Sequence, residues 1–215
     1  LSADPKLACW ADDSTSVVVY SSAGRSLQRI VLASGNPDLQ PPIAIEGLET
    51  ELKALASDRT GETLAAVTSE GVVLLLTRDG SVTRPLPEVE ATAIAINQEG
   101  TVLWAADRTL QRILRLPIAE PDSTEETILS DSEKLADVTM MSLSADGKRL
   151  TLADRTTLLL HQLDIDQRSL DEGVLLDAPA TTLFPLGDSA LKLLSPRGKL
   201  GEPIYLMDER RSPSV

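Results

Sequence analysis

Two segments decide the fold of this chain: residues 101–114, TVLWAADRTLQRIL, and residues 148–161, KRLTLADRTTLLLH. In both, the tetrapeptide ADRT lies between two apolar runs of strand length, a pattern that predicts two antiparallel strands joined by a turn. Asp favours turns because its carboxylate accepts hydrogen bonds from nearby backbone N–H groups. We therefore interpret Asp107 and Asp154 as the same turn residue in successive copies of a repeat, and not as parts of a duplicated active site.

Further copies of the pattern extend along the chain. ALASDRTGETLAAVT at residues 54–68 aligns with AIAINQEGTVLWAAD at residues 93–107 and MSLSADGKRLTLAD at residues 141–154. Residues 7–21 form an earlier copy in which Asp12 matches Asp58, and residues 182–195 form a degraded last copy. The repeat length is roughly 43 residues, which is typical of propeller blades. The aligned glycines of the first turn are Gly61, Gly100 and Gly147.

Each copy reads as a meander of short strands. The tetrapeptide LQRI occurs at residues 27–30 and 110–113, which suggests matching third strands, and Pro-containing segments suit a weaker fourth strand at the outer edge. We predict an all-β protein: a β-propeller of about five blades of mostly four antiparallel strands, with a short last blade or an incompletely closed ring. The predicted blades of this single domain, residues 1–215, are 6–47, 48–89, 90–136, 137–180 and 181–208.

The segment LSADGKRLTLAD at residues 143–154 resembles the repeats of bacterial YVTN-type and WD40-like propellers. In those repeats a Ser-x-Asp-Gly turn is followed by a short apolar strand. The resemblance implies a propeller fold and no particular activity, because one fold carries many functions.

Composition excludes several classes of function. The formal net charge of -13 opposes binding to nucleic acid, whose phosphates require a surplus of Lys and Arg. No apolar run approaches the length of about 18 residues that a membrane-spanning helix needs. The chain begins at Leu1 and not Met, so we expect that a signal peptide or a further domain precedes it, and an exported location is favoured over a cytoplasmic one.

No constellation of catalytic or metal-binding residues stands out. His161 is the only histidine and Cys9 the only cysteine, and we predict that both are structural. GDSAL at residues 187–191 fails the nucleophile-elbow pattern, and the acidic segment at residues 163–172 lacks the Gly and Glu of a calcium loop. The sequence therefore predicts no catalytic residue, no metal site and no cofactor.

The remaining candidates are turns that share one face of the propeller. In the usual blade order, the turns between second and third strands lie on the same face as the connections between blades. We predict a non-enzymatic, monomeric interaction module that binds a protein or another polar partner there. Two alternatives stay open: a carbohydrate hydrolase or lyase that uses channel carboxylates, and a structural spacer of a surface protein. The predicted partner-binding residues are Arg25, Glu70, Asp107, Arg108, Asp154 and Arg155.

Overall fold

The structure is a computed structural model that describes residues 4–11, 15–32, 36–119, 123–185, 191–195 and 205–208. All regular elements among these residues are β-strands, and they form five antiparallel sheets that follow one another along the chain. The all-β prediction is therefore confirmed.

Each sheet is a meander in which consecutive strands pair, except that the fifth strand of sheets 1 and 4 pairs with the third strand of the same sheet. Sheet 1 contains β1 (Pro5–Ala11), β2 (Ser16–Ser21), β3 (Ser26–Val31), β4 (Asp38–Leu39) and β5 (Ile43–Ala44). Sheet 2 contains β6 (Leu52–Ser57), β7 (Thr63–Thr68), β8 (Val73–Thr77) and β9 (Val82–Thr83). Sheet 3 contains β10 (Ala91–Ile96), β11 (Val102–Asp107), β12 (Arg112–Pro117) and β13 (Glu126–Ser130). Sheet 4 contains β14 (Val138–Leu143), β15 (Arg149–Asp154), β16 (Leu159–Asp164), β17 (Ser169–Leu170) and β18 (Val174–Leu175). Sheet 5 contains β19 (Thr182–Pro185), β20 (Leu191–Ser195) and β21 (Tyr205–Asp208).

The first strands of the sheets form the centre of the molecule. β1 packs against β6, β6 against β10, β10 against β14 and β14 against β19, so neighbouring sheets are arranged like the blades of a propeller. Apolar side chains fill the space between sheets. Leu103 and Ala105 of β11 pack towards sheet 2, whereas Trp104 and Ala106 pack towards sheet 4. Both faces of this strand are buried because each small sheet is covered on both sides.

The outer and terminal parts are less regular. The fourth strand is only two residues long in sheets 1, 2 and 4, split in sheets 1 and 4, and sheet 5 has three strands in the described part of the chain. Among the described residues, β19 does not pack against β1 in the way that neighbouring first strands pack. The free side of sheet 1 exposes Trp10, Leu32 and Leu39. These features agree with the predicted short last blade or incomplete ring, and the boundaries of the predicted blades stay a prediction.

The turn between the first and second strands joins one sheet to the sheet before it. Gly61, Gly100 and Gly147 occupy this turn with φ of 70°, 67° and 71°, a left-handed conformation that favours glycine. A Cβ on Gly61 would lie 2.7 Å from the Cβ of Ala11 in sheet 1, and one on Gly100 would lie 2.8 Å from Oδ2 of Asp58 in sheet 2. The sheets meet closely at these two joints.

One detail of the predicted repeat is wrong: the two LQRI segments are not structurally equivalent. In sheet 1 the segment lies within β3, where Ser26 pairs with Ser21, but in sheet 3 Leu110 and Gln111 belong to the turn before β12. The true repeat is a four-residue turn whose last residue has a positive φ, 43° at Arg25 and 48° at Gln111. Turn geometry therefore sets the register of the third strand, and Arg29 corresponds to Arg115.

Candidate functional site

The first strands of sheets 1 to 4 share an irregularity near their beginning. In each strand the pairing with the second strand shifts by one residue, and the unpaired residues are Lys6, Lys53, Thr92 and Thr139. A β-bulge of this kind redirects a side chain and is common next to functional sites. Because these strands are the innermost ones, the four bulges surround the same end of the central channel.

An acidic residue precedes each of these four strands. The carbonyl oxygens of Asp4, Glu51, Glu90 and Asp137 accept hydrogen bonds from the backbone N–H groups of Ser22, Ser69, Arg108 and Arg155, at 2.7 to 3.2 Å. Each donor is the first residue of the turn between second and third strands in the same sheet. One hydrogen bond, repeated four times, therefore places this turn beside the channel end. We call this set of acidic residues, bulges and turns the channel-mouth face.

Charges of opposite sign alternate on the channel-mouth face. Asp4 pairs with Lys6 at 3.2 Å, and Asp137 accepts from the Nη2 of Arg155 at 2.6 Å, while Glu90 lies 3.9 Å from Arg108. A hydrogen bond from the hydroxyl of Ser22, supported by Lys6, lowers the pKa of Asp4. This end of the molecule consequently presents closely spaced positive and negative groups.

The turn prediction for Asp107 and Asp154 agrees with the structure in detail. Oδ1 of Asp107 accepts from the backbone N–H groups of Thr109 and Leu110, and Oδ1 of Asp154 accepts from those of Thr156 and Thr157. Both residues are nearly inaccessible, with 4% and 2% of their surfaces exposed. Their carboxylates stabilise the turns from inside, so neither residue contributes to the exposed surface of the channel-mouth face.

The other four predicted residues lie in the equivalent turns and reach solvent. Arg108 and Arg155 expose 54% and 57% of their side chains. Arg25 is exposed and donates from Nη1 to the carbonyl oxygen of Leu48 at 2.9 Å, while Glu70 is exposed in the turn before β8. The structure thus brings these four residues to the channel-mouth face.

Sequence reasoning missed six charged residues of this face, namely Asp4, Lys6, Glu51, Lys53, Glu90 and Asp137. Among these six, Glu51 and Lys53 differ from the other four. With Glu70, they have no ion pair or side-chain hydrogen bond to any other described residue. Burial lowers the pKa of Lys53, and the charges of Glu90 and Asp137 act against this effect. A signal was available: the segments DPK, ELK, EAT and DVT stand at the same place in four copies of the repeat.

His161 is buried in a strand, and the neighbouring acidic segment includes an exposed turn. His161 lies in β16 with 1% of its surface exposed, and its Nδ1 is 3.4 Å from Oδ1 of Asp171. Gly173 covers the ring, since a Cβ there would lie 2.6 Å from Nδ1. Asp164 accepts from the backbone N–H of Gln167 in an exposed turn. The described residues contain no group of three or more His, Cys, Asp or Glu side chains that could hold a metal ion.

Cys9 lies in β1 and packs against the apolar cluster between sheets 1 and 2. Burial, assisted by the negative charge of Asp58, raises the pKa of the Cys9 thiol to about 12. At neutral pH this thiol is protonated, which makes it a poor nucleophile. The predicted structural role of Cys9 agrees with this environment.

Two other parts of the sequence analysis concern residues that the structure does not describe. These are residues 187–190 of the segment GDSAL, and Asp12.

Comparison with known proteins identifies the family. The pattern of the family described as the lipoprotein LpqB beta-propeller domain matches residues 40–194, which is more than half of the chain. The chain belongs to this family. No curated protein matches the sequence. Membership of the LpqB propeller family agrees with the observed sheets and with a bacterial propeller.

Solved structures support the same fold. The chain is similar to a chain in the crystal structure of a nidogen/laminin complex, with a TM-score of 0.72 at 15% identity, covering 95% of this chain and 77% of that one. It is also similar to the beta-propeller domain of Cps50 (Swd1) from Myceliophteria thermophila, with a TM-score of 0.68 at 13% identity, covering 96% of this chain and 72% of that one. At such low identity these similarities concern the fold alone. In the described part of this LpqB-family chain, no helix is long and apolar enough to cross a membrane.

Proposed function

We propose that this LpqB-family propeller is a non-enzymatic interaction module that binds a protein partner at its channel-mouth face, in an exported or surface-attached protein. The observation that carries the proposal is the fourfold repeat of an acidic residue hydrogen-bonded to a turn, which collects charged side chains from separate sheets on one face. A rigid scaffold that presents many loops at one end suits recognition of a large polar surface. We also propose that the repeats belong to the YVTN-type or WD40-like class.

Three side chains are the best candidates for direct contact with the partner. Glu51, Lys53 and Glu70 form no ion pair or side-chain hydrogen bond with another described residue, so binding would not have to break an internal ion pair. Arg108 adds a positive charge whose pairing with Glu90, at 3.9 Å between exposed groups, is weak. Complementary charge at such a surface increases the association rate and the specificity of a complex.

We expect the combined variant Glu70→Ala and Arg108→Ala to weaken partner binding at least tenfold and to leave the thermal midpoint within about 2 °C of the wild-type value. Both side chains are exposed, so their removal costs little stability. The partner would be isolated with the full-length protein from its native cells and its affinity then measured by calorimetry. The matched control is Asp79→Ala in the turn between β8 and β9, at the opposite end of sheet 2. Equal affinity of wild type and the combined variant would contradict the proposal.

A further inference from the structure

The joint between sheets 3 and 4 differs from the two joints before it. A Cβ on Gly147 would meet nothing within 4 Å, although one on Gly61 or Gly100 would collide with the preceding sheet. At the first joint, Nη2 of Arg29 donates to the carbonyl oxygen of Thr60 at 2.8 Å and closes the gap. Arg115, the residue of sheet 3 that corresponds to Arg29, turns instead to Glu126 of its own sheet at 3.7 Å. The turn before β15 therefore does not close onto sheet 3, and Arg168 of sheet 4 bridges the joint by its ion pair with Glu126 of sheet 3.

A cleft of about 460 Å³, partly open to solvent, occupies this joint. Its accessible lining is more polar than apolar, apolar side chains form one part of the wall, and its rim is made from the turns before β11 and β15 and the turn after β16. Trp104 lies in the wall with 4% of its surface exposed, and its Nε1 has no hydrogen-bond partner among the described residues. A buried donor without an acceptor is costly, and because Nε1 itself has almost no accessible surface, an occupant of the cleft would reach it only if the surrounding side chains shifted. The apolar residues of the wall are Val102, Trp104, Ile128, Leu143 and Ile165.

The rim carries an excess of negative charge. Arg115 and Arg168 share the single carboxylate of Glu126, so these three residues together keep one positive charge, against three further carboxylates at the rim. The other three carboxylates of the rim have no cation within ion-pair distance in the described part of the chain, and all three are exposed. These carboxylates belong to Glu99, Asp146 and Asp166. A hydrogen bond from the Ser144 hydroxyl lowers the pKa of Asp146, so this group is ionised at neutral pH.

Size and charge together define an occupant. The volume suits one or two side chains and not a whole protein surface, and the apolar part of the wall suits an aliphatic group. The three exposed carboxylates of the rim form no ion pair with a described residue, which suits an adjacent Arg or Lys. We propose that the cleft between sheets 3 and 4 is a second binding site, which takes a short extended segment of a partner protein with an aliphatic residue next to a basic one. This site lies at the end of the molecule opposite the channel-mouth face and does not depend on the function proposed above.

Tryptophan fluorescence tests the cleft directly. The chain has two tryptophans, so the Trp10→Phe variant leaves Trp104 as the only one. The probe is the acetylated and amidated peptide GARLRAG, with GAELEAG and argininamide as comparisons. We expect GARLRAG to shift the Trp104 emission and to bind at least tenfold more tightly than either comparison.

Two further variants separate binding from folding. Ala145 is exposed at the rim, and Ala145→Tyr should fill the cleft and weaken GARLRAG binding at least tenfold without changing the urea midpoint. The combined variant Glu99→Gln and Asp166→Asn should weaken it by a similar factor at low salt and less at high salt, because salt screens exposed charges. The proposal is overturned if GARLRAG at millimolar concentration leaves the emission unchanged, or if GAELEAG binds equally well. Equally tight binding of argininamide would also overturn it, by assigning the cleft to a small cation.

Discussion

Replacing Asp154 with alanine is expected to lower the free energy of unfolding by about 3–5 kcal/mol, because several charge-assisted hydrogen bonds are lost in a buried place. Oδ1 accepts from the backbone N–H groups of Thr156 and Thr157, and Oδ2 accepts from that of Asp137 at 2.6 Å. The single carboxylate thus joins the turn after β15 to the residue before β14. Urea denaturation of the purified chain measures the effect.

Two matched variants test whether the hydrogen bonds cause the loss. Asp164→Ala removes a carboxylate that accepts one backbone hydrogen bond in an exposed turn, and it should cost less than about 1 kcal/mol. Asp154→Asn keeps one acceptor oxygen but places an NH₂ group among N–H donors, so an intermediate loss is expected. If Asp154→Ala were no more destabilising than Asp164→Ala, the repeated aspartate would not be the structural residue that we describe.

Gly61→Ala is expected to destabilise the chain by at least about 2 kcal/mol more than Gly147→Ala, although the two glycines occupy the same turn in different sheets. Their φ values are 70° and 71°, so the strain of placing alanine in the left-handed region is the same in both. Only at Gly61 would the new Cβ also collide, at 2.7 Å from both the Cβ of Ala11 and the Nη2 of Arg29. The difference between the two variants therefore measures the contact between sheets 1 and 2.

Comparison of the urea midpoints of the two variants is sufficient, because backbone strain cancels in the difference. Gly100→Ala provides a third point, with Asp58 as the obstacle. Equal losses at positions 61 and 147 would show that the turns do not pack against the preceding sheets as described. They would also remove the argument that the turn before β15 does not close onto sheet 3.

The repeat and the turn chemistry could be predicted from the sequence because both are local. Strand-length apolar runs fix the sheets, and an Asp after the second strand fixes the turn, as observed at Asp107 and Asp154. The direction in which the carboxylate points cannot be predicted from the local sequence. Whether it faces solvent or the interior depends on the packing of neighbouring elements, and here the first strand covers it. The same aspartate therefore served as a correct turn marker and a poor candidate for surface contact.

Other features were beyond sequence reasoning for physical reasons. The LQRI identity misled because sequence similarity cannot detect that Gln111, with φ of 48°, ends a turn, whereas Gln28 lies inside a strand. The bulges at Lys53 and Thr92 depend on pairing registers between strands. The cleft beside Trp104 is lined by Arg115, which pairs with Glu126 of its own sheet, and a side-chain conformation of this kind depends on tertiary packing and not on a local sequence pattern.

The central claim, that the channel-mouth face meets a protein partner, is tested most directly by site-specific photo-crosslinking in the full-length protein within its native cells. A photoreactive phenylalanine derivative would replace Glu70, Arg108 or Asp79 in turn, since all three are in exposed turns and only Asp79 lies at the other end of the propeller. Our account predicts a discrete crosslinked product of higher mass from positions 70 and 108, and none from position 79. Crosslinks from position 79 with none from positions 70 and 108 would contradict it.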